Sequence, residues 1–305
     1  MTNQATITQK LKLPLRSLLF TPGSEESMLT KAVHSNADAC IFDLEDAVAI
    51  EKKKNAREIV RQSLHLHGRN KPLFVRVNST QSGQILADLQ AILSEDLFGL
   101  WLPKIESSIQ IVWIEEQIDK IVEEQKISVP SIPLFLSLET SLGVRDIKEI
   151  LEASKRVVGV SVGSAQGGDL HAELGGTWDE NGAMLNYLRS RIFLYSRAAG
   201  IKIIVDGACT SLDESDVRNS TLAAKAIGYR SKMAIHPKHI ETIHAVFAPN
   251  VSEVEHSKRV IENFRKSELE GKGAITVDGQ MIDYAMVANA ERILAEFNQL
   301  EGIEN

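Results

Sequence analysis

The segment Ala37–Val48 reads ADACIFDLEDAV and shows the unit from which the fold is predicted. The run Ala39–Leu44 is almost entirely apolar, which is typical of a buried strand in a parallel sheet. The acids Glu45 and Asp46 follow at its carboxyl end, and an amphipathic, helix-like stretch follows over 51–65. A strand, then polar residues, then a helix is the repeating unit of a parallel α/β fold.

Eight apolar runs of this kind alternate with helix-like stretches along the chain. The runs are Leu15–Thr21, Ala39–Leu44, Leu73–Val77, Gly99–Pro103, Ile132–Leu138, Val157–Val162, Lys202–Val205 and Lys232–Ile235. The stretches between and after them are 25–36, 51–65, 82–94, 107–124, 141–154, 184–199, 213–227 and 238–247. The alternation predicts an α/β protein with a (β/α)₈ TIM barrel. A doubly wound open sheet is the alternative, and the count of eight favours the barrel.

The alternation of apolar runs and helix-like stretches covers only the middle of the chain, which divides the chain into three parts. Residues 1–12 are predicted to be a flexible N-terminal tail, and residues 13–248 the barrel. Residues 249–305 are predicted to be a C-terminal helical extension, with a short strand and turn near 274–279. A segment of this size is too small for an independent domain, so we expect it to pack on the barrel or on a neighbouring subunit.

Composition narrows the class of protein. The chain has 305 residues, is 43% hydrophobic and carries a net charge of −7, so nucleic acid is not an expected partner. The sequence contains no signal peptide and no apolar run long enough to span a membrane, which predicts a cytoplasmic protein. The two cysteines lack the spacing of a zinc site or a disulfide framework.

Acidic residues recur where the predicted strands end. Glu139 follows the fifth strand and Asp169 the sixth, in addition to Glu45 and Asp46 after the second. Because the carboxyl ends of all barrel strands meet at one rim, these acids would repel one another unless a cation offsets them. Carboxylate oxygens without a histidine or cysteine cluster favour Mg²⁺ or Mn²⁺, with Arg76 and Lys104 adding positive charge.

Three further positions have two interpretations each. Arg76 lies within an apolar strand, either in a buried ion pair or as a clamp for a carboxylate or oxyanion. Lys53, within the basic run 52–54, is part of a solvated helix face or contacts the phosphates of a ligand. His236, before Pro237, is a site residue or a structural histidine.

An ordered set of motifs resembles the citrate lyase β-subunit and malyl-CoA lyase family. The motifs are Arg16–Gly23 (RSLLFTPG), Ala37–Val48 with Ala56-Arg57, Val75–Asn78 (VRVN), Leu102–Glu106 (LPKIE), Leu138–Thr140 (LET), Ala234–Pro237 (AIHP) and Val277–Asp283 (VDGQMID). The match runs over roughly residues 15–297.

The resemblance implies site residues and roles. Glu139 and Asp169 match the acids that hold Mg²⁺, and Glu45 and Asp46 match acids that hold metal-bound water. Arg76 would contact the substrate.

The remaining implied positions lie at the two ends of the match. Arg16 and Pro22 of the first motif, together with Lys53 and His236, are expected to bind substrate or coenzyme A. Asp283 matches an acid/base residue that often acts across a subunit boundary. A homotrimer or homohexamer is implied, with a CoA thioester and a 2-oxo acid as small-molecule partners.

The function implied is Mg²⁺-dependent cleavage of a carbon–carbon bond in a 3-hydroxyacyl-CoA. (S)-Citramalyl-CoA is the favoured substrate, and citryl-CoA and malyl-CoA are the others. The chain departs from the family in the metal loop Ser164–Leu170, where Gly168 replaces a glutamate. A metal-dependent aldolase of free 2-oxo acids and a non-catalytic ligand-binding homologue are the alternatives.

Overall fold

A computed structural model describes residues 14–129, 131–179, 182–271 and 273–303, so the predicted tail over residues 1–12 lies outside the described residues. Eight parallel strands close into a barrel in sequence order, with β1 paired to β8, which confirms the TIM-barrel prediction. The strands are β1 Ser17–Pro22, β2 Ala39–Asp43, β3 Leu73–Arg76, β4 Gly99–Leu102, β5 Leu134–Leu138, β6 Val157–Val162, β7 Ile203–Asp206 and β8 Ser231–Ala234.

Helices flank the barrel between its strands. They are α1 Glu26–Val33, α2 Lys53–His67, α3 Ile85–Ile92, α4 Ser108–Gln125, α5 Ser141–Arg145, α6 Ile147–Glu152, α7 Asp169–Leu174, α8 Ala183–Ala198, α9 Glu214–Ile227 and α10 His239–Phe247. The stretch 141–154 forms two short helices rather than the single one predicted. The helix α7 has no counterpart in the sequence prediction. None of the described helices is long and apolar enough to cross a membrane.

Two compact units make up the chain, one ending at His244 and the other beginning at Ala245. The second unit contains α11 Val251–Leu269, a hairpin of β9 Ile275–Val277 and β10 Gln280–Ile282, and α12 Tyr284–Glu301. Asp278 and Gly279 form the hairpin turn with φ of 50° and 80°. Positive φ at both central residues is typical of the tight turns that join antiparallel strands.

Alternation along the barrel strands separates an apolar layer from a polar one. Ile41, Phe74 and Phe135 belong to the apolar core of the barrel. Two residues further along the same strands stand Asp43, Arg76 and Ser137, which line a cavity. Side chains on a strand point in the same direction at every second residue. The inward-facing residues of each strand are therefore apolar in the core and polar at the end where the cavity opens.

Aromatic rings close the floor between the two layers. Trp101 stacks on Phe135 with ring centroids 5.2 Å apart, and Phe74 meets Phe135 edge to face at 4.7 Å. A Cβ at Gly159 would lie 2.2 Å from the Phe135 ring, so only glycine leaves room for that ring. The close packing gives the polar layer above a fixed support.

An ion pair joins β1 to β2 at the start of both strands, opposite their carboxyl ends. The backbone N–H of Arg16 donates to Asp38 at 2.6 Å, and its guanidinium donates to both carboxylate oxygens at 3.1 and 3.0 Å. His244 Nε2 lies 3.3 Å from the same carboxylate and 2.7 Å from Ser17 Oγ. The predicted role of Arg16 in binding substrate or coenzyme A stays a prediction that this geometry does not support, because Arg16 pairs with Asp38 at the other end of the strand.

Asp38 is expected to stabilise the fold in a pH-dependent way. Burial alone would raise its pKa, but the hydrogen bonds from His244 and Arg16 outweigh burial and lower the pKa from 3.8 to about 2. A depressed folded-state pKa gives a contribution of about 2 kcal/mol that is complete above the unfolded-state value and is lost as the pH falls through about 2. In urea unfolding, Asp38→Asn should be less stable than wild type at pH 6, and the gap should shrink between pH 4 and pH 2. A gap that stays constant with pH would show that the ionised carboxylate is not responsible.

Candidate active site

A cavity of about 340 Å³ opens at the carboxyl ends of the barrel strands, where TIM barrels place their active sites. Five residues that the sequence predicts for the site line this cavity: Pro22, Asp46, Arg76, Glu139 and Asp169. They come from positions far apart in the chain and meet because every strand ends at the same rim.

Arg76 forms the buried ion pair that was one of its two predicted arrangements, and it also lines the cavity. Its Nε and NH2 donate to the two carboxylate oxygens of Asp43 at 2.7 and 2.6 Å, and its NH1 lies 3.3 Å from Glu45 Oε2. The guanidinium also stands 4.9 Å above the ring of Phe20. Burial would lower the pKa of Arg76, but the charge of Asp43 outweighs it and raises the pKa above its ordinary value. Arg76 is thus a fixed, permanently charged group at the cavity wall.

Lys104 connects the acids around the cavity. Its backbone N–H donates to Glu139 Oε1 at 2.9 Å, with the residue held in the left-handed region at a φ of 52°. Its ammonium lies 3.1 Å from Glu45, 3.5 Å from Asp46 and 3.2 Å from Asp169. A non-glycine residue at positive φ is uncommon and costs conformational energy, so the contacts on both sides must hold it there.

Burial disfavours the charged forms of the acids at this site. Burial is the largest cause of the raised pKa of Glu139, and the charge of Asp169 raises that pKa further. It also raises the pKa of Glu45 to about 7, against the opposing charges of Arg76 and Lys104. Glu45 Oε2 is buried and accepts no hydrogen bond from the described residues. An added positive charge nearby would stabilise the ionised forms of both carboxyl groups.

The oxygens of Glu139 and Asp169 fit a hard divalent cation. Both carboxylates line the same cavity and both contact Lys104. Among the described residues, no group of three His, Cys, Asp or Glu side chains has the geometry to hold a metal ion. Mg²⁺ usually takes one or two protein carboxylates and completes its octahedron with water and substrate oxygens. A two-carboxylate site therefore fits Mg²⁺ or Mn²⁺ and does not fit structural zinc.

The cavity floor combines hydroxyls with apolar surface. Trp101 Nε1 donates to Ser137 Oγ at 2.9 Å, and Ser137 Oγ lies 3.2 Å from Ser161 Oγ. Phe20, Val162, Ala208 and Met233 contribute apolar walls. Ser137 and Ser161 were not predicted from the sequence, although they stand at inward-facing positions of β5 and β6 that the alternation of the strands indicates.

Two predicted binding residues lie elsewhere. Lys53 is buried, and its ammonium donates to the carbonyls of Leu44 and Glu45 at 2.8 and 2.9 Å and to Asn78 Oδ1 at 2.6 Å. It holds the loop after β2, so Lys53 is not part of a solvated helix face, while its predicted contact with coenzyme A stays a prediction. His236 is half-buried, its Nδ1 accepts from the backbone N–H of Lys238 at 3.2 Å, and it is not among the described residues that line the cavity.

Asp283 belongs to the second compact unit. Its Oδ1 accepts from the backbone N–H groups of Ala285 and Met286 at 3.0 and 3.2 Å, which caps the N-terminus of α12. Its catalytic role stays a prediction.

Comparisons with known proteins agree with this geometry. The model of the HpcH/HpaI aldolase/citrate lyase family matches residues 16–237. The citrate lyase subunit β of Escherichia coli is 30% identical over 98% of each chain, and the (3S)-malyl-CoA thioesterase of Cereibacter sphaeroides is 32% identical over 93% of this chain and 94% of its own.

Among solved structures, protein CitE from Mycobacterium tuberculosis, in complex with magnesium, acetoacetate and coenzyme A, superposes with a TM-score of 0.76. It is 25% identical and covers 94% of this chain and 100% of its own. The family model spans most of the chain and the relatives span nearly all of it, so the chain belongs to the HpcH/HpaI aldolase/citrate lyase family.

Proposed function

We propose that this protein cleaves a 3-hydroxyacyl-CoA into acetyl-CoA and a 2-oxo acid with the help of Mg²⁺. The observation that carries the proposal is the meeting of Glu139 and Asp169 at one cavity beside the guanidinium of Arg76. The solved structure of CitE, which contains magnesium, acetoacetate and coenzyme A, supports the same ligand classes for this chain.

Glu139 and Asp169 would hold the cation. When bound, Mg²⁺ acts as a Lewis acid that polarises the substrate's hydroxyl and adjacent carboxylate. The family glutamate that Gly168 replaces is not needed for this, because Glu139 and Asp169 supply the two carboxylates that Mg²⁺ typically takes.

Arg76 stabilises the negative charge that develops on oxygen as the carbon–carbon bond breaks. Its position is fixed before the reaction by Asp43 and by the ring of Phe20. A preorganised cation in a partly buried site contributes several kcal/mol to the barrier reduction because it needs no reorganisation during the step.

Two carboxyl groups account for the protons. Glu45, whose pKa burial raises to about 7, lies behind Arg76 and Lys104 and is not among the described residues that line the cavity, so it accepts the proton of the substrate hydroxyl through a bridging water. The bond between the hydroxyl-bearing carbon and the carbon next to the thioester then breaks, and its electron pair enters the thioester enolate. Asp283 donates a proton to the enolate carbon and so completes acetyl-CoA.

The charge of the cavity supports (S)-citramalyl-CoA as the substrate. Four acids line the described part of the cavity with one guanidinium: Asp43, Asp46, Glu139 and Asp169 beside Arg76. Oxaloacetate, the product from a citryl thioester, would bring a second carboxylate into this negative field. Pyruvate, the product from citramalyl-CoA, brings a methyl group instead, which suits the apolar walls of the cavity.

An assay of three thioesters tests both the reaction and the substrate. Citramalyl-CoA, malyl-CoA and citryl-CoA are each followed for 2-oxo acid release, with Mg²⁺, with EDTA, and with Mg²⁺ restored after EDTA. Citramalyl-CoA should have a kcat/KM roughly 10-fold or more above malyl-CoA, because burying one additional methyl typically discriminates by that factor. EDTA should abolish the release and Mg²⁺ should restore it. If no thioester releases a 2-oxo acid, the lyase proposal is wrong.

Thioester hydrolysis is the second candidate, because the relative from Cereibacter sphaeroides is a (3S)-malyl-CoA thioesterase. Hydrolysis releases the free thiol of coenzyme A and leaves the carbon–carbon bond intact. Free thiol without a 2-oxo acid in the same assay would therefore identify a hydrolase. The predicted homotrimer or homohexamer is tested on the same preparation by light scattering.

A further inference from the structure

The loop that carries Asp169 begins between two neighbouring strands. Gly163 follows β6 and lies against β5: a Cβ at this position would stand 2.6 Å from the Cβ and 2.8 Å from the Cα of Glu139. Only glycine permits this approach, so the start of the loop is packed directly on the residue that carries the other acid of the cavity.

Ser164 fixes the opposite side of the loop start. It is 1% exposed, its hydroxyl lies 3.1 Å from Asp206 Oδ1, and the backbone N–H of Gly207 donates to its Oγ at 2.9 Å. A Cβ at Gly207 would stand 2.3 Å from that oxygen. Gly163 and Gly207 are therefore close-approach glycines on either side of one short segment.

Asp206, the partner of Ser164, is itself held in place by two buried cations. Arg189 donates to its two carboxylate oxygens at 2.8 and 3.0 Å, Lys232 Nζ donates to Oδ2 as well, and all three side chains are fully buried. Burial would raise the pKa of Asp206, but Lys232 and Arg189 lower it below its ordinary value. The ionised carboxylate of Asp206 can only accept a hydrogen bond, so the Ser164 hydroxyl donates to it. The same Ser164 oxygen accepts the hydrogen bond from the backbone N–H of Gly207.

Between Ser164 and Asp169 the loop has short-range contacts: the backbone N–H of Gly168 donates to Ala165 O at 3.0 Å, and Asp169 lies 3.2 Å from Lys104 Nζ. Gly167 has a φ of +76° with open space around its Cα, and the side chain of Asp169 is 47% exposed. Beyond Ser164, the backbone N–H of Gly167 donates to His171 Nδ1 at 2.9 Å. Two adjacent glycines, Gly167 and Gly168, leave the backbone many conformations in the unfolded loop, so the anchored end at Ser164 adds to the contacts of Asp169 with Lys104 and with α7 in limiting where the carboxylate lies.

We propose that Ser164, held by the buried Asp206, is a positioning residue that sets the affinity of the protein for the divalent cation by fixing the loop of Asp169. The inference rests on the proposed metal site. Ser164 lines the same cavity, but in this proposal it acts through the loop of Asp169 and not as a ligand of the cation. Groups that hydrogen-bond directly to a metal ligand typically change metal affinity by roughly 10- to 100-fold when removed. Ser164 acts one step further away, through the loop, so the lower end of that range is expected, because the ligand must then be ordered as the metal binds.

Ser164→Ala and Ser196→Ala form a matched pair. Ser196 is also a fully buried serine, whose hydroxyl donates to Ile192 O within α8 at 2.6 Å, away from the loop. Both variants lose one buried hydroxyl, so a general loss of stability should affect them similarly. Mn²⁺ binding, followed by electron paramagnetic resonance, and the rise in Tm on adding Mg²⁺ are measured for each.

Ser164→Ala should bind Mn²⁺ roughly 10-fold or more weakly, with a smaller Mg²⁺-induced rise in Tm, while Ser196→Ala matches wild type. The Mg²⁺ concentration for half-maximal activity should rise in Ser164→Ala, while kcat at saturating Mg²⁺ stays within about 3-fold of wild type, since the ligands remain. Ser164→Thr, which keeps a hydroxyl, should recover part of the affinity.

The outcomes separate the two proposals. If wild type binds no Mn²⁺, the metal site itself is wrong. If wild type binds Mn²⁺ and Ser164→Ala binds it equally well, the metal site stands and the positioning role of Ser164 is overturned. The second result is decisive even where Ser164→Thr does not fold.

Discussion

Glu139→Gln is expected to lower kcat/KM by about 10³-fold and to remove the response to Mg²⁺, since loss of the cation removes several kcal/mol of transition-state stabilisation. Glutamine keeps the shape of the side chain and can still accept the hydrogen bond from the backbone N–H of Lys104. It lacks the negative charge that a hard cation requires.

The same substitution should leave the stability of the metal-free protein unchanged or raise it. Burial raises the pKa of Glu139, which means that the fold disfavours its charged form. A neutral amide removes that penalty. Activity, Mn²⁺ binding and Tm in EDTA together form the test, with loss of the first two and no loss of the third as the expected pattern.

Glu106→Gln is the matched control for this prediction. Glu106 lies shortly after β4, two residues beyond Lys104, and is not among the described residues that line the cavity. It should retain activity and metal binding. A Glu139→Gln protein that still binds Mn²⁺ and turns over would contradict the site, whereas one that fails to fold would show a structural role for this carboxylate.

Asp283→Asn is expected to lower kcat by roughly 10²- to 10⁴-fold, the usual range for removing a general acid or base. Asparagine is as good a helix N-cap as aspartate, so its side-chain oxygen can still accept from Ala285 and Met286. The second unit should therefore keep its stability while the proton donor is lost. Unfolding in urea and single-turnover release of acetyl-CoA are the two measurements.

Asp283→Ala separates capping from proton transfer. It loses the cap as well and should cost about 1 kcal/mol of stability in addition to the same loss of kcat. If Asp283→Ala loses stability and neither variant loses turnover, the cap is the only role of Asp283 and the proton must come from elsewhere.

Mixing the two inactive variants tests whether Asp283 acts across a subunit boundary. Glu139→Gln and Asp283→Asn are unfolded together and refolded, or exchanged as subunits. If the two residues serve one site from different chains, mixed oligomers contain some sites with both residues intact, and part of the activity returns. No recovery in a demonstrated mixed oligomer would place both residues of a site on one chain.

The sequence alone predicted the barrel, because an eight-fold alternation of apolar runs and helices has few other ways to bury its strands. It also predicted the rim at which Arg76, Glu139 and Asp169 meet. These predictions depend on local pattern: every parallel strand ends at the same rim, so the position of a residue in its own strand decides which end of the barrel it occupies. Arg16 stands before β1 and could have been placed at the opposite end by the same rule.

Only the tertiary structure decided which charges meet. Nothing in the sequence distinguishes the environment of Lys53 from that of Lys104. In the structure Lys53 donates to the backbone of a loop, whereas Lys104 contacts three acids of the site. Ser164 becomes an anchor only because β7 brings Asp206 within 3.1 Å of it. The physical reason is that strand pattern fixes the direction of a side chain, whereas its partner is fixed by the packing of neighbouring strands and loops, which no local stretch of sequence contains.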